Sequence, residues 1–277
     1  MRIDAHQHFW RIERGDYDWL VSGAHRSICR DFGPDDLAPL LAAHAIDASV
    51  LIQAAPTSAE TAFLLDLADR GPTVAAVVGW TDFAAPSAAA EIEALAGRPK
   101  LAGLRPMLQD LSDDTWILRP DVGPALDALE ATGLCLEALV KPRHLPHLLR
   151  LLESRPSLRV AIDHAAKPDI AGGAIEPWAK WMRRIGRETA AICKLSGLAS
   201  EAGSRWTGEA LRPYVEVLLE AFGPSRLAWG SDWPVVNEVG GYHEWIAAAE
   251  ALVDGLSAAD QALVFGGVAA GFYGIEE

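Results

Sequence analysis

Ala48-Ser49-Val50-Leu51-Ile52-Gln53-Ala54-Ala55 is a run without a charged residue, apolar on both faces of its Ala-Ser-Val-Leu-Ile core. A strand with one wet face alternates apolar and polar residues, whereas a strand covered on both faces does not. The run therefore predicts a strand of a parallel sheet with helices packed over it. Seven more apolar, β-branched runs recur along the chain: Ile3–His8, Val74–Trp80, Leu101–Leu108, Leu134–Lys141, Leu158–Ala166, Ala190–Leu198 and Arg226–Pro234. Their starts are about 24 to 45 residues apart, room for a strand, a crossover helix and two loops.

The intervening segments carry helix-start chemistry. Asp35-Asp36 precedes Leu37–His44, Ser58 precedes Glu60–Asp69, and Pro86-Ser87 precedes Ala88–Ala96. Pro124 opens Ala125–Ala131, repeated leucines fill Leu145–Glu153, Pro177 opens a Trp178/Trp181 segment, and Ser257 caps Ala258–Phe265. Eight strand–helix alternations are most simply a (β/α)8 TIM-type barrel, an α/β fold, here over residues 1–277 as one domain. An open doubly wound sheet is the alternative, but no Gly-x-Gly-x-x-Gly follows the first run. The long segment 9–36, with Trp10, Asp16, Tyr17, Asp18 and Trp19, reads as an ordered lid over the barrel mouth, and Gly172-Gly173 and Gly240-Gly241 mark flexible loops.

A barrel of this kind collects its active site at the C-terminal ends of its strands. Those ends carry His6 and His8, Gln53, Trp80, Arg105, Glu137, Asp163-His164 with Lys167, Lys194, and Asp232-Trp233. In Ile-Asp-Ala-His-Gln-His (3–8) strand alternation sends His6 and His8 to one face, with Asp4 in line beneath them. Two such imidazoles can hold one divalent metal or bind one substrate oxygen. By the same alternation Asp163 points away from His164 and reads as structural. Lys194 and Arg105 sit in or beside apolar runs, where an unpaired cation is costly, and Glu137 needs a cation or a metal. Each group alone has a bland reading, a turn cap for Asp232 or a core histidine for His164, but together they form a set. Trp10, Trp80 and Trp233 lie where a flat face could stack on a ring-shaped ligand; Trp116, Trp178, Trp181, Trp206 and Trp245 read as packing.

The formal net charge of −14 argues against a nucleic-acid partner or an anionic membrane surface. Three cysteines without Cys-x-x-Cys read as reduced, with Cys135 and Cys193 buried. The start lacks an apolar h-region, and no run approaches 18 uninterrupted apolar residues, so a soluble cytoplasmic protein is expected. The sequence is compatible with a homo-oligomer.

Asp-Ala-His-Gln-His-Phe-Trp (4–10), Gly-Leu-Arg-Pro-Met-Leu-Gln-Asp (103–110), Ile-Asp-His-Ala-Ala-Lys-Pro (162–168), Cys-Lys-Leu-Ser-Gly-Leu (193–198) and Phe-Gly-Pro-Ser-Arg-Leu-Ala-Trp-Gly-Ser-Asp-Trp-Pro (222–234) carry a resemblance that runs nearly end to end. They resemble the amidohydrolase superfamily, and within it the amidohydrolase-2 branch that contains sugar lactonases of the L-fuconolactonase and L-rhamnonolactonase type. The resemblance implies a distorted barrel that hydrolyses a small-molecule lactone to a hydroxy acid. It places catalytic roles on His6, His8, His164 and Asp232, and substrate binding on Arg105 and Lys194; Gln53, Trp10, Trp80, Lys167 and Trp233 are further substrate-binding candidates from their places at the strand ends. Members of the branch either work without a metal or carry one divalent cation, often zinc; here its ligands would be His6, His8 and Asp232, with Glu137. Branch members often have His after the strand-four arginine, whereas this chain has Pro106-Met107.

The expected reaction has Asp232 as general base toward water and then as proton donor to the leaving alkoxide. The absence of Gly-x-Ser-x-Gly argues against a serine hydrolase. The rival readings are a metal-dependent decarboxylase of an acidic substrate on the same barrel, and a non-catalytic barrel, which the retention of every strand-end polar group disfavours.

Overall fold

A computed structural model describes residues 1–23 and 25–276. All eight expected strands form, shorter than their apolar runs: β1 (Ile3–Gln7), β2 (Ala48–Ile52), β3 (Val74–Gly79), β4 (Leu101–Leu104), β5 (Cys135–Ala138), β6 (Val160–Ile162), β7 (Ile192–Leu195) and β8 (Leu227–Trp229). They pair in parallel in chain order in one eight-stranded sheet. The sheet closes beyond the end of β8, where Asp232 N–H donates to the His6 carbonyl at 2.8 Å and His8 N–H to the Trp233 carbonyl at 2.8 Å. This closure is irregular, as the expected distorted barrel requires.

Helices cover the sheet between strands. The helix Leu145–Ser154 buries Leu145, Leu148, Leu149 and Leu152, the spacing of one helical face. Burying each such side chain contributes about 1.5–3 kcal/mol. The cap of Ser58–Arg70 is Thr57 rather than Ser58, its hydroxyl accepting from Glu60 N–H. Ser257 caps Ala258–Ala262 as expected, but the helix then breaks into a wider turn at Leu263–Gly267 before Val268–Tyr273. The helix Gly208–Phe222, capped by Thr207, lies in a segment for which no helix-start signal was read.

Strand β1 departs from simple alternation. Asp4 pairs with Ser49 and Gln7 with Leu51, so β1 spends one residue more than β2 over this stretch. Ile3 and Ala5 both face the barrel-interior cluster by ordinary alternation, which turns Asp4 outward, and the bulge then lets His6 follow Ala5 inward. Asp4 accepts from Ser231 N–H at 2.8 Å and from the Tyr242 hydroxyl at 3.2 Å. It ties β1 to the β8 loop rather than lying beneath the histidines, and burial pushes its carboxyl up to about 6.

The described residues of segment 9–36 pack over the mouth. Its base is closed by paired hydrogen bonds between Trp10 and Phe32 at 3.1 and 3.0 Å. Trp19 Nε1 donates to the Ala54 carbonyl at 2.9 Å, and His25 Nδ1 meets Glu238 Oε2 at 2.7 Å. The three cysteines are free, with Cys135 and Cys193 buried and Cys29 half-buried. Among the described residues no helix is long and apolar enough to cross a membrane.

Candidate active site

At the C-terminal end of the barrel, β1 and the loops after β6 and β8 bring three imidazoles to one carboxylate. Asp232 Oδ1 lies 3.4 Å from His8 Nε2, 3.7 Å from His6 Nε2 and 3.8 Å from His164 Nε2. Asp232 itself has a positive φ of 57°, a strained conformation for a residue with a side chain. Its N–H bond to the His6 carbonyl holds it there. Gly230 makes the approach of this loop to β1 feasible, because a Cβ there would sit 2.6 Å from the His6 Cβ.

The loop after β6 is more unusual. His164, Ala165, Ala166 and Lys167 have φ of 50°, 51°, 60° and 51°, four successive left-handed residues, each costing about 1–2 kcal/mol. The turn is held by Lys167 N–H on the His164 carbonyl at 2.8 Å and by Trp178 Nε1 on the Ala165 carbonyl at 2.7 Å. Gly197, at φ 68°, leaves room for the His164 ring, which a Cβ would meet at 2.7 Å. Because the chain leaves the strand geometry at this point, Asp163 and His164 no longer point to opposite faces. Both reach His6, a correction to the alternation argument.

His6 and His164 are neutral at neutral pH. Burial holds His6 well below its ordinary value, with Lys194 adding to the effect, and burial lowers His164 to about 4. Asp232 is ionised: burial opposes its charge, but His164, His8 and His6 outweigh burial and hold the carboxyl below the usual range. His8 Nδ1 donates to the Ile52 carbonyl at 2.8 Å, which turns its Nε2 toward the site. That nitrogen lies 3.2 Å from His6 Nε2.

The separations of His6 Nε2, His8 Nε2 and Asp232 Oδ1 are thus 3.2, 3.4 and 3.7 Å. Ligand atoms on a tetrahedral ion with bonds of about 2.0–2.1 Å stand about 3.3 Å apart. The three groups fit a divalent cation. A second set, His6, Asp163 and His164, also brings one donor atom each within 4.8 Å.

Beneath this layer lies a buried ionic cluster. Asp163 Oδ2 accepts from Arg105 at 3.0 Å, and its Oδ1 lies 3.2 Å from Lys194 Nζ and 3.4 Å from His6 Nδ1. Lys194 Nζ is also 3.3 Å from His6 Nδ1 and 2.6 Å from Glu137 Oε2, whose other oxygen accepts from the Tyr273 hydroxyl. Burial opposes the Lys194 charge, but Asp163 and Glu137 outweigh it and raise the ammonium above its ordinary value. Asp163 and Asp232 already balance Arg105 and Lys194, and burial pushes Glu137 up to about 8 against the pull of Lys194.

The family described as Amidohydrolase, in the amidohydrolase-2 group, matches residues 3–275. The chain belongs to this amidohydrolase family. A relative from Burkholderia ambifaria (strain AMMD), L-fucono-1,5-lactonase, is 48% identical over 99% of this chain and 96% of its own length. An L-fucono-1,5-lactonase from Burkholderia multivorans is 37% identical over 100% of this chain and 97% of its own length. The crystal structure of an amidohydrolase from Burkholderia multivorans with bound zinc superposes with a TM-score of 0.94 at 37% identity, covering 100% of both chains. 5-Carboxyvanillate decarboxylase structures are at most 20% identical and share the fold alone.

In this amidohydrolase a cavity of about 470 Å³ opens over the site, and His8, His164, Asp232, Arg105 and Lys167 of the expected residues line it. His6 is fully buried beside these residues and does not line the cavity. The other expected residues lie elsewhere. Glu137 is engaged by Lys194 and Tyr273 and belongs to neither metal-capable group. Lys194, expected to hold substrate, is enclosed below the cavity floor. Gln53 is buried too, its amide donating to the Arg105 carbonyl at 2.8 Å while its own carbonyl accepts from the guanidinium. Trp10 and Trp233 are buried in lid packing, each edge-on to Phe32, so neither face is open to a ligand. Trp80 borders a neighbouring cavity. Sequence reasoning missed Trp19 and Lys141 on the cavity wall. Trp19 carried a usable signal, its place in the lid segment; Asp163 carried none, since only the left-handed turn turns it inward.

Proposed function

We propose that this amidohydrolase hydrolyses a sugar lactone, opening the ring ester of an aldonolactone to the corresponding hydroxy acid. The observation that carries the reading is an ionised carboxylate, Asp232, that lines a cavity of about 470 Å³ and is ringed by the imidazoles of His6, His8 and His164. The L-fucono-1,5-lactonases among its relatives, at 48% and 37% identity, support it.

Asp232 takes a proton from water as the water oxygen attacks the ring carbonyl carbon. The carbonyl oxygen becomes an oxyanion, and collapse of the tetrahedral intermediate breaks the bond to the ring oxygen. Asp232 then returns its proton to the departing alkoxide. Arg105 and Lys167 present positive charge to the cavity for the oxyanion, and losing one such donor costs about 3 kcal/mol of barrier. Asp163 and Lys194 do not touch substrate; they set the orientation of His6 and Arg105. Ser196 Oγ lies 2.9 Å from His164 Nδ1, but it is buried and absent from the cavity wall, so it orients the ring and is no nucleophile.

The proposed cofactor is one zinc ion on His6, His8 and Asp232, chosen for the nitrogen and oxygen donors and their spacing. It would supply Lewis-acid polarisation of the carbonyl oxygen. The substrate is a small molecule, and the enzyme is placed in the cytoplasm.

A pH-indicator screen of purified protein against sugar lactones, with chelator and with zinc repletion, tests this reading. Acid release above the spontaneous rate on one stereochemical series supports it; silence across the panel with zinc present overturns it. Loss of activity on chelation, restored by zinc, supports the metal assignment, and full activity in chelator removes it.

A further inference from the structure

A second cavity, of about 690 Å³, adjoins the catalytic one and shares Trp19, Met107 and Asp110 with it as a common wall. The two differ in chemistry. Three cations, Arg105, Lys141 and Lys167, line the catalytic cavity beside the carboxylates of Asp110, Glu201 and Asp232. The neighbouring cavity has no Lys, Arg or His among its described lining residues. It presents instead three half-buried tryptophans, Trp19, Trp80 and Trp116, with the carboxylates of Asp16, Asp18, Asp82 and Asp110.

Several of these groups are held in place. Trp19 Nε1 is bound to the Ala54 carbonyl at 2.9 Å, and Thr61 Oγ1 holds the Trp80 backbone, accepting from its N–H at 2.7 Å and donating to its carbonyl at 2.9 Å. Two of the four carboxylates already have a cation nearby: Asp16 lies 2.8 Å from Arg14 and Asp110 lies 3.8 Å from Lys141. They are therefore better suited to accept hydrogen bonds than to neutralise a ligand charge. Asp82 accepts from Ala84 N–H at 3.0 Å through one oxygen, which leaves the other for a ligand.

We propose that this cavity is a subsite for a second, uncharged sugar ring, so that the preferred substrate is a glycosylated aldonolactone. The inference rests on the lactonase reading above. A pyranose offers an apolar face to indole and hydroxyl donors to carboxylates. An alkyl chain would use the rings and leave the aspartates buried against carbon, and an anionic substituent would be repelled. The catalytic cavity alone has the volume for a single lactone ring; the second needs an occupant attached to it.

The test compares the fastest-cleaved aldonolactone with disaccharide lactones built on the same ring, in wild type, Trp116→Ala and Trp116→Phe. The disaccharide lactone should have the higher kcat/KM in wild type. Trp116→Ala should lower that value about tenfold through KM while changing the free lactone less than twofold, and Trp116→Phe should recover most of the loss. Equal losses on both substrates, or a disaccharide lactone inferior to the free one in wild type, overturn the subsite. Tryptophan fluorescence titrated with a neutral methyl pyranoside and with tetramethylammonium provides a second readout. Saturable quenching by the pyranoside, lost in Trp116→Ala, supports the subsite even if no lactone is cleaved, in which case only the lactonase reading falls. Quenching by tetramethylammonium alone overturns it.

Discussion

Replacing Asp163 by asparagine removes the anion that sits between two buried cations. Its oxygens lie 3.0 Å from Arg105 and 3.2 Å from Lys194, and all three side chains are enclosed. At an effective dielectric of about 20, each contact is worth about 5 kcal/mol of Coulomb attraction. Keeping the Asp163 carboxylate dry costs several kcal/mol, which the substitution returns. Glu137, 2.6 Å from Lys194, can take up part of the unbalanced charge. The net destabilisation of Asp163→Asn is therefore about 3–5 kcal/mol, the range found when one partner of a buried pair is removed. Equilibrium urea unfolding should show a lower midpoint with an unchanged slope, against a total stability of about 5–15 kcal/mol. Adding Lys194→Met removes one cation and should recover at least half of the loss. An Asp163→Asn protein within 1 kcal/mol of wild type would refute the reading of this cluster as a tightly balanced ionic unit.

Gly230→Ala places a Cβ 2.6 Å from the His6 Cβ; it should cost about 1–3 kcal/mol by overpacking and lower kcat about tenfold, checked by urea unfolding and steady-state kinetics. Tyr273→Phe strips the hydroxyl from the Glu137 carboxyl and should cost about 1–3 kcal/mol for the orphaned buried acceptor, with KM unchanged because Tyr273 lies away from the cavity. Glu60, whose carboxylate accepts from Ala54 and Ala55 N–H, is raised by burial from 4.5 to about 7. The protonated native form makes its stability contribution fully present below about pH 4.5 and lost as pH rises through 7, a change of about 3 kcal/mol. The stability of wild type relative to Glu60→Gln should fall by that amount between pH 4.5 and 8.5; a pH-independent difference in urea unfolding would contradict it.

The strands were legible because a covered parallel strand needs apolar residues on both faces, and the runs starting at Ile3 and Ala48 have no other economical use. That His6, His8, His164 and Asp232 lie at one end of the barrel followed from the fold, since the C-terminal ends of its strands converge. Features set by backbone irregularity were not legible. The bulge that separates Asp4 from the histidines depends on one extra residue, and nothing in Ile-Asp-Ala-His marks it. The left-handed turn at His164–Lys167 contains no glycine, so the usual signal for positive φ is missing and Asp163 was assigned to the wrong face. Glu137 was expected to need a cation or a metal, and it has the cation, Lys194 at 2.6 Å; its second partner Tyr273, 136 residues away in sequence, was not legible. Trp10 and Trp233 show a related limit: a tryptophan at a strand end packs under a lid as readily as it lines a mouth, and only the position of Phe32 decides which.

The most direct measurement is the steady-state hydrolysis of the fastest-cleaved aldonolactone of the panel by Asp232→Asn beside wild type, with the spontaneous rate subtracted and the fold checked by urea unfolding. Asparagine cannot take the proton from water, so turnover should drop to the spontaneous rate while the protein unfolds at a similar midpoint. A folded Asp232→Asn enzyme with kcat near wild type would contradict the assignment of the base and, with it, the proposed chemistry of the site.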